Sequence, residues 1–538
     1  MGKRRAGDRR PNRQRAAEPV APGLEVGGPG RLAAQARQAQ AARDRGSAAA
    51  PPRRTLLPEA AGAPCAARGR SSLHGRLSPA QHDLAALAAP VPDRARRRAG
   101  DREQDGAGGR GLRHRDPPAL PRAGLAGGRR QHLQPRAPAQ RPGGGRPELI
   151  VDLHAHYPMH LVPPDDGTLI DLLSTARGRR RLRDRVRARL IGLASRFGNY
   201  RSFESGPRVT MPQLRDGHVG VALSVVYSFF DEVDLDVPYG APPAAGYLPR
   251  LMRQLDTVEA DIAERHADEA AVVHDRSALD RELGNGRVAL VHCVEGGFHL
   301  GATPEEVDRA VTRLAERGVA YIVLPHLMWR GVATNSPALP FLPDWLYRVL
   351  FHQPRLGLSE LGTAAVRAMV REGILIDLSH MSTRTLEDTF ALLDELDPDR
   401  RVPLIASHSA FRFGRQEYGI DEETVRLLAG RDGVVGLIFA QHQLNDGVRR
   451  RPTKSFEESF EVICRHLDRI AEITGSHRHA AIGSDFDGFI KPTMGGLESM
   501  SDMARLERAL RDRHGAEDAE RICSDNALRV LRAGWGAR

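Results

Sequence analysis

The chain has 538 residues, and its 79 Lys plus Arg against 68 Asp plus Glu give a formal net charge of +11. Residues 1–150 hold 30 basic and 12 acidic side chains, a net of +18, so the remainder, with 49 basic and 56 acidic, carries −7. The basicity therefore belongs to one segment, and the net charge is no ground for reading the chain as a nucleic-acid-binding protein.

That segment, 1–147, is dominated by Arg, Ala, Gly and Pro, is punctuated by PPRR, GAGGRG and RPGGGRP, and contains no Phe, Tyr or Trp. Without large side chains it cannot offset the entropy of ordering its backbone, which predicts a disordered extension. A basic tail without aromatics has charge but no stacking platform, so no specific nucleic-acid partner is expected. Residues 1–10 are basic like a signal n-region, yet no continuous apolar run of about 7–15 residues follows, and nothing reaches the roughly 18 residues of a membrane span. Cys65, Cys293, Cys464 and Cys523 are widely separated and suggest reduced thiols. A cytoplasmic protein with no transmembrane segment is the expectation, and a homodimer is compatible with it.

From residue 148 short β-prone runs recur between segments of helical periodicity, which predicts one region over 148–535. The runs are LIVDLHAHY (149–157), VGVALSVVY (219–227), VALVHCVEG (288–296), VAYIVLPHL (319–327), ILIDLSHMS (374–382), PLIASHS (403–409), VVGLIFA (434–440) and AAIGSDFDG (480–488). Helices are predicted over 248–270, 303–317, 359–372, 421–428 and 456–473. Near-continuous apolar strands alternating with helices call for a parallel sheet covered by helices. Eight such units predict an α/β fold of the (β/α)8 TIM-like barrel type, with a doubly wound open sheet as the alternative.

Most of these runs end in a residue able to bind metal or move a proton, and in a barrel the C-terminal strand ends converge on one rim. His154 and His156 are two apart on an extended strand and face the same side. Glu295 precedes Gly296-Gly297, and His326, His380 and His408 end the next three runs, while Asp485 and Asp487 lie in the last. Nitrogen and oxygen ligands without thiolates suit Zn²⁺, with Mn²⁺, Co²⁺ or Fe²⁺ as alternatives. Two ions would need a shared carboxylate, for which Glu295 is the natural bridge.

Eight ordered strings, DLHAHYP (152–158), LRDGHVG (214–220), VEGGFH (294–299), GLSELG (357–362), GILIDLSHMS (373–382), PLIASHSA (403–410), IGSDFDG (482–488) and DNALRV (525–530), resemble those of the membrane dipeptidase (renal dipeptidase) family, peptidase family M19 of the amidohydrolase superfamily. The resemblance implies a metal-dependent hydrolase barrel with two divalent ions, usually zinc, that cleaves dipeptides, some with a C-terminal D-residue, by a metal-bridging hydroxide. Carried over residue by residue, it implies that His154 and His156 hold one ion, Glu295 bridges, and His380 and His408 complete the second. His326 would polarise the scissile carbonyl and Asp485 would carry the proton to the leaving amine. Asp487, two residues on, and Asp152, two before His154, are read as supporting residues. Two departures stand out. This chain has His154-Ala155-His156 where the family usually has His-x-Asp, which raises the site charge by about one unit. The family also places an arginine for the substrate carboxylate after the last ligand histidine; here Arg415 is the first choice and Arg412 the second, at a different spacing.

The loop after His326 carries Trp329, Phe341, Trp345, Tyr347 and Phe351, either as a plug or as pocket lining, and its Asn335 resembles a family asparagine near the substrate. A related amidohydrolase acting on a lactone, cyclic amide, N-acyl amino acid or phosphotriester is the rival activity. A catalytically silent metal-binding protein is the rival outside enzymes, but every expected ligand position is filled.

Overall fold

A computed structural model describes residues 149–161 and 206–536, apart from 235–236, 340–341, 489 and 491–492. The 1–147 extension, the basic stretch 177–190, Cys65 and Phe341 lie outside the described residues.

Val, Ile, Leu and Ala fill both faces of most strands, which are buried on both sides, and every strand pairs in parallel with its neighbours. The strands are β1 (Ile150–Ala155), β2 (Val219–Val226), β3 (Ala270–Val273), β4 (Val288–Glu295), β5 (Tyr321–Val323), β6 (Leu375–Asp377), β7 (Leu404–Ser409), β8 (Val434–Leu437) and β9 (Ala480–Ile482). The sheet runs β2-β1-β9-β8-β7-β6-β5-β4-β3, and pairing of β2 with β4 closes a ring of eight parallel strands without β3. This is a (β/α)8 barrel, and its eight staves correspond to the eight runs read from the sequence. The open doubly wound sheet is excluded by the closure.

The ninth strand was not foreseen. The helix predicted over 248–270 ends at Arg265, and the four residues that begin at Ala270 pair with the first half of β4 from Val288 to Val291. On the same edge β5 takes the last two residues, Val294 and Glu295. A four-residue run has too little pattern of its own; the unfilled lower edge of β4 is what recruits it.

The predicted helices form with familiar signals. Thr303 accepts a hydrogen bond from the Glu306 amide to cap Pro304–Glu316, Asp421 caps Glu422–Ala429 through Thr424, and Ser455 caps Phe456–Thr474. Inside the ring, Val151, Leu223, Val291, Tyr321, Ile405 and Ala481 pack together, and Leu528 and Leu531 of the C-terminal helix Asn526–Gly534, with Trp535 just after it, join the same cluster. No helix among the described residues is long and apolar enough to cross a membrane. Cys293, Cys464 and Cys523 are buried free thiols.

At the β7–β9 end the backbones approach so closely that only glycine fits. A Cβ at Gly483 would stand 1.7 Å from the Ser407 carbonyl oxygen, and one at Gly436 would stand 2.1 Å from it. Gly483→Ala is expected to cost at least about 1–3 kcal/mol, since backbone must shift. Gly284→Ala, where a Cβ meets nothing within 4 Å, should stay within about 0.5 kcal/mol. Urea denaturation of the two variants checks the difference, and equal midpoints would remove the close-approach argument.

Candidate metal centre

The strand ends deliver their polar residues to one buried point. Register irregularities between Asp152 and Ala155 in β1 and between Ala406 and Ser409 in β7 re-aim side chains at the top of the barrel. Ser407 Oγ thereby stands 3.0 Å from His154 Nδ1 and 2.9 Å from His408 Nδ1. Tyr321, whose hydroxyl donates to the Leu153 carbonyl, is 2.8 Å from His154 Nδ1. With Nδ1–H of His154 and His408 donated to these hydroxyls, their Nε2 lone pairs face inward.

Glu295, almost fully buried, is the centre of the cluster. Its Oε1 lies 3.5 Å from His154 Nε2, 3.7 Å from His380 Nε2 and 3.4 Å from His408 Nε2. Its Oε2 lies 3.6 Å from His156 Nε2 and 3.4 Å from His326 Nε2. Asp485 Oδ1 is 3.1 Å from His156 Nε2 and 3.8 Å from His154 Nε2.

The donor set fits divalent cations by three observations. Imidazole Nε2 atoms face one another at 3.3 Å between His154 and His156 and at 2.9 Å between His380 and His408, where lone pairs repel unless a cation stands among them. Glu295 Oε1 is buried with no hydrogen-bond partner, an arrangement that is costly without a counter-charge. Burial and mutual repulsion hold His154, His380 and His408 well below the ordinary imidazole range, so they are neutral imidazoles able to ligate a cation. Burial, then the carboxylates of Asp485, Glu232 and Asp377, push Glu295 well above the ordinary carboxylate range.

His380 and Asp485 have left-handed backbones, with φ of 62° and 58°. Non-glycine residues in this region concentrate at functional sites. The Ser336 amide donates to the His380 carbonyl at 2.8 Å, and the Asp485 amide donates to the His154 carbonyl at 2.8 Å; these bonds hold both conformations.

Supporting residues stand behind the ligands. Asp152 Oδ1 accepts from the amides of His154 and Ser484, tying β1 to the loop after β9, and burial raises its carboxyl to about 6. Asp377 repeats the device, accepting from the amides of Ser379 and Ser407. The recurrence of Asp-Leu before the ligand histidines, in DLHAH and DLSH, is a signal that could have identified Asp377. Asp487 accepts from the amides of Arg208 and Val209.

Glu232 had no signal in the sequence. It lies in the short helix Phe229–Val233, and its Oε2 is 2.7 Å from His326 Nδ1 and accepts from the Tyr227 hydroxyl, while Oε1 accepts from the Met328 amide. Those interactions, led by His326, outweigh burial and lower its pKa, so it is ionised. It fixes the His326 ring with Nε2 toward the centre. Glu232→Gln is expected to lower kcat about 10–100-fold with KM and metal content nearly unchanged; steady-state kinetics and metal analysis check it, and an unaltered kcat would deny Glu232 this positioning role.

The pocket above the cluster is lined by His156, Glu295, His326, His380 and Asp485, with Leu327, Ala338, Tyr418, Gln443, Ile438 and Ile490 around them. Tyr418, unrecognised in the sequence, donates its hydroxyl to the His408 carbonyl at 2.8 Å. The two candidate arginines are not brought here. Arg412 donates to the carbonyls of Gly419 and Glu417 and to Asp421, and Arg415 is exposed. Local loop bonding claims the first and solvent the second. Asn335 is buried and donates to Tyr347 Oη and to the Leu327 carbonyl. Tyr347 and Phe351 stack within the loop and Trp345 is exposed, so these aromatics pack outside the pocket lining.

Residues 187–534 match the family described as membrane dipeptidase, peptidase family M19. Dipeptidase verJ of Clonostachys rogersoniana is 28% identical over 288 residues, which is 53% of this chain; the chain spans 65% of that relative's length. Two solved structures share the fold, each with a TM-score of 0.52 and 20% identity over 72% of this chain and 99% of theirs. One is the dipeptidase AC, a metallopeptidase of family M19. The other is a metallopeptidase from Rhodobacter sphaeroides liganded with a phosphinate mimic of the dipeptide L-Ala-D-Ala. The matched span begins after His154 and His156, and the pairing of β1 with β2 and β9 carries these two into the site.

Proposed function

The chain belongs to the membrane dipeptidase family, peptidase family M19, and from that premise we propose that it is a metallo-dipeptidase working at the Glu295 centre. The observation that carries the reading is the placement of Glu295 between His154, His380 and His408 on one oxygen and His156 and His326 on the other. His154, His156 and Glu295 would hold one divalent ion, and Glu295, His380 and His408 a second, with zinc the best match to the donors. When bound, such a pair supplies Lewis acidity and acidifies water so that a hydroxide nucleophile exists at neutral pH.

The protein's own groups do the rest. His326, fixed through Nδ1 by ionised Glu232, directs its Nε2 edge at the oxyanion that develops on the scissile carbonyl. Asp485, buried at the rim, takes the proton of the attacking water and returns it to the leaving amine. Leu327, Ala338, Ile438 and Ile490 exclude bulk water from the space beside them. Hydrolysis of dipeptides with a C-terminal D-residue is part of the proposal, supported by the L-Ala-D-Ala mimic held by the Rhodobacter protein.

A second reading rests on the pocket itself. Among the described residues that line it there is no arginine or lysine to pair with a free carboxylate. That favours a lactone or cyclic amide. A panel of L,L- and L,D-dipeptides beside lactones and cyclic amides, assayed after zinc loading, separates the two. Amino-acid release from dipeptides is expected, and turnover confined to the cyclic substrates would replace the dipeptidase reading.

A further inference from the structure

A second group of ligand-type side chains lies at the opposite end of β9. Asp468 belongs to the helix Phe456–Thr474, His477 opens the turn His477–His479 that leads directly into β9, and His514 is the last residue of the helix Met503–His514. Asp485 follows β9 and His477 precedes it, so this group sits at the bottom of the barrel, away from the C-terminal rim. We propose that Asp468, His477 and His514 bind a divalent transition-metal ion of the zinc class, which staples the entry of the last strand to the C-terminal helices.

Asp468 Oδ1 stands 3.5 Å from His477 Nε2 and 3.7 Å from His514 Nδ1. Direct hydrogen bonds between such atoms are shorter, about 2.7–3.2 Å. Ligands held about 2.0–2.1 Å from a tetrahedral zinc are instead about 3.3–3.4 Å apart, close to the spacings seen. One atom from each of the three residues falls within 4.8 Å of the others. The two imidazole rings are 4.8 Å apart and inclined at 57°, so they are not stacked flat on each other and both can approach one ion.

The surroundings fix the histidine as metal-ligating histidines are fixed. His477 Nδ1 is 3.1 Å from Asp518 Oδ2, and the other oxygen of Asp518 accepts from Arg521 at 2.8 Å. With Nδ1–H donated to that carboxylate, His477 Nε2 carries the lone pair, and it is buried with no hydrogen-bond partner. This is the carboxylate–histidine arrangement that orients a ligand ring. His514, with a side chain 8% exposed, faces Asp468 with Nδ1, the atom that would ligate. The Asn526 amide donates to the His477 carbonyl at 2.7 Å and holds the turn in place. Asp468 is more exposed than either histidine, which leaves a coordination position open to water.

The test uses the full chain, stripped with a chelator and dialysed against Zn²⁺ alone. His477→Gln and His514→Gln should each hold one zinc ion fewer than the unsubstituted chain while keeping its turnover, because neither touches the barrel centre. Equal zinc content in all three chains would overturn the site. On the unsubstituted chain, diethylpyrocarbonate modification mapped by mass spectrometry should spare His477 and His514 when Zn²⁺ is present and reach them after chelation. Modification at both rings that is indifferent to Zn²⁺ would also overturn it. A chain carrying His380→Ala and His408→Ala should still retain this ion, so loss of the barrel centre and loss of the lower site are read separately.

Discussion

Glu295→Gln is expected to empty most of the barrel centre of metal and to lower kcat/KM by at least about 10³-fold, since the variant loses the one carboxylate that both halves of the ligand set face. Metal analysis beside steady-state kinetics checks this, and a variant with unchanged metal content would remove Glu295 from the bridging position. The same substitution has an opposite effect on the metal-free protein. Burial and neighbouring carboxylates raise the Glu295 carboxyl well above its ordinary 4.5. A group raised in the folded state contributes stability below its unfolded value and loses it as pH rises through the folded value. At about pH 8, without metal, the Gln variant should therefore melt higher than the unsubstituted chain. Addition of Zn²⁺ should reverse the order, because only the carboxylate gains the ion. Thermal melts at about pH 5 and pH 8, with and without Zn²⁺, test the inversion; a Gln variant that melts lower under every condition would contradict the account of Glu295 as a buried charge awaiting a cation.

Asp485→Asn is expected to lower kcat by about 10²–10⁴-fold while leaving the zinc content in place. The backbone should tolerate the change, because residue 485 has φ of 58° and Asn, like Asp, accepts the left-handed region. Gly488 is part of the same local geometry: a Cβ there would fall 1.9 Å from Asp485 Oδ1. The substitution therefore isolates the carboxylate's charge and proton. His154, His156 and Glu295 remain to hold the nearer ion. Loss of zinc together with turnover would make Asp485 a ligand whose removal dismantles the site, and retention of full turnover would exclude it from proton transfer.

The legible parts of the site are those in which one residue breaks a local pattern. His326, His380, His408 and Glu295 were found because each is a polar residue at the end of an apolar run, and a parallel barrel sends such ends to one rim. The helix starts at Thr303, Asp421 and Ser455 were legible because a capping side chain acts within its own first turn. Asp152 and Asp377 were only half legible: their sequence positions beside the histidines are plain, but each acts by accepting amides from two segments far apart in the chain.

Other features had no local signature. Glu232 reaches His326 across 94 residues of sequence, and Tyr418 reaches the His408 carbonyl from a loop whose composition reads as surface. Arg412 and Arg415 show the reverse case. Their nearness in sequence to His408 suggested the substrate carboxylate, yet bonds to Gly419, Glu417 and Asp421 engage Arg412 and solvent surrounds Arg415. The helix after β2 stopped short of its periodic pattern because β4 offered an edge to Ala270–Val273.

The sequence by itself determined the separation of a basic segment from an acidic region, the eight staves and most of the polar residues that end them. These follow from side-chain chemistry repeated at short spacing, which the chain carries whatever its tertiary contacts. The closure of the ring through β2 and β4, the ninth strand, the pairing of Glu232 with His326 and the cluster of Asp468, His477 and His514 were decided only in three dimensions. Each joins residues far apart in the chain, and such contacts form where packing brings two edges or two polar atoms together.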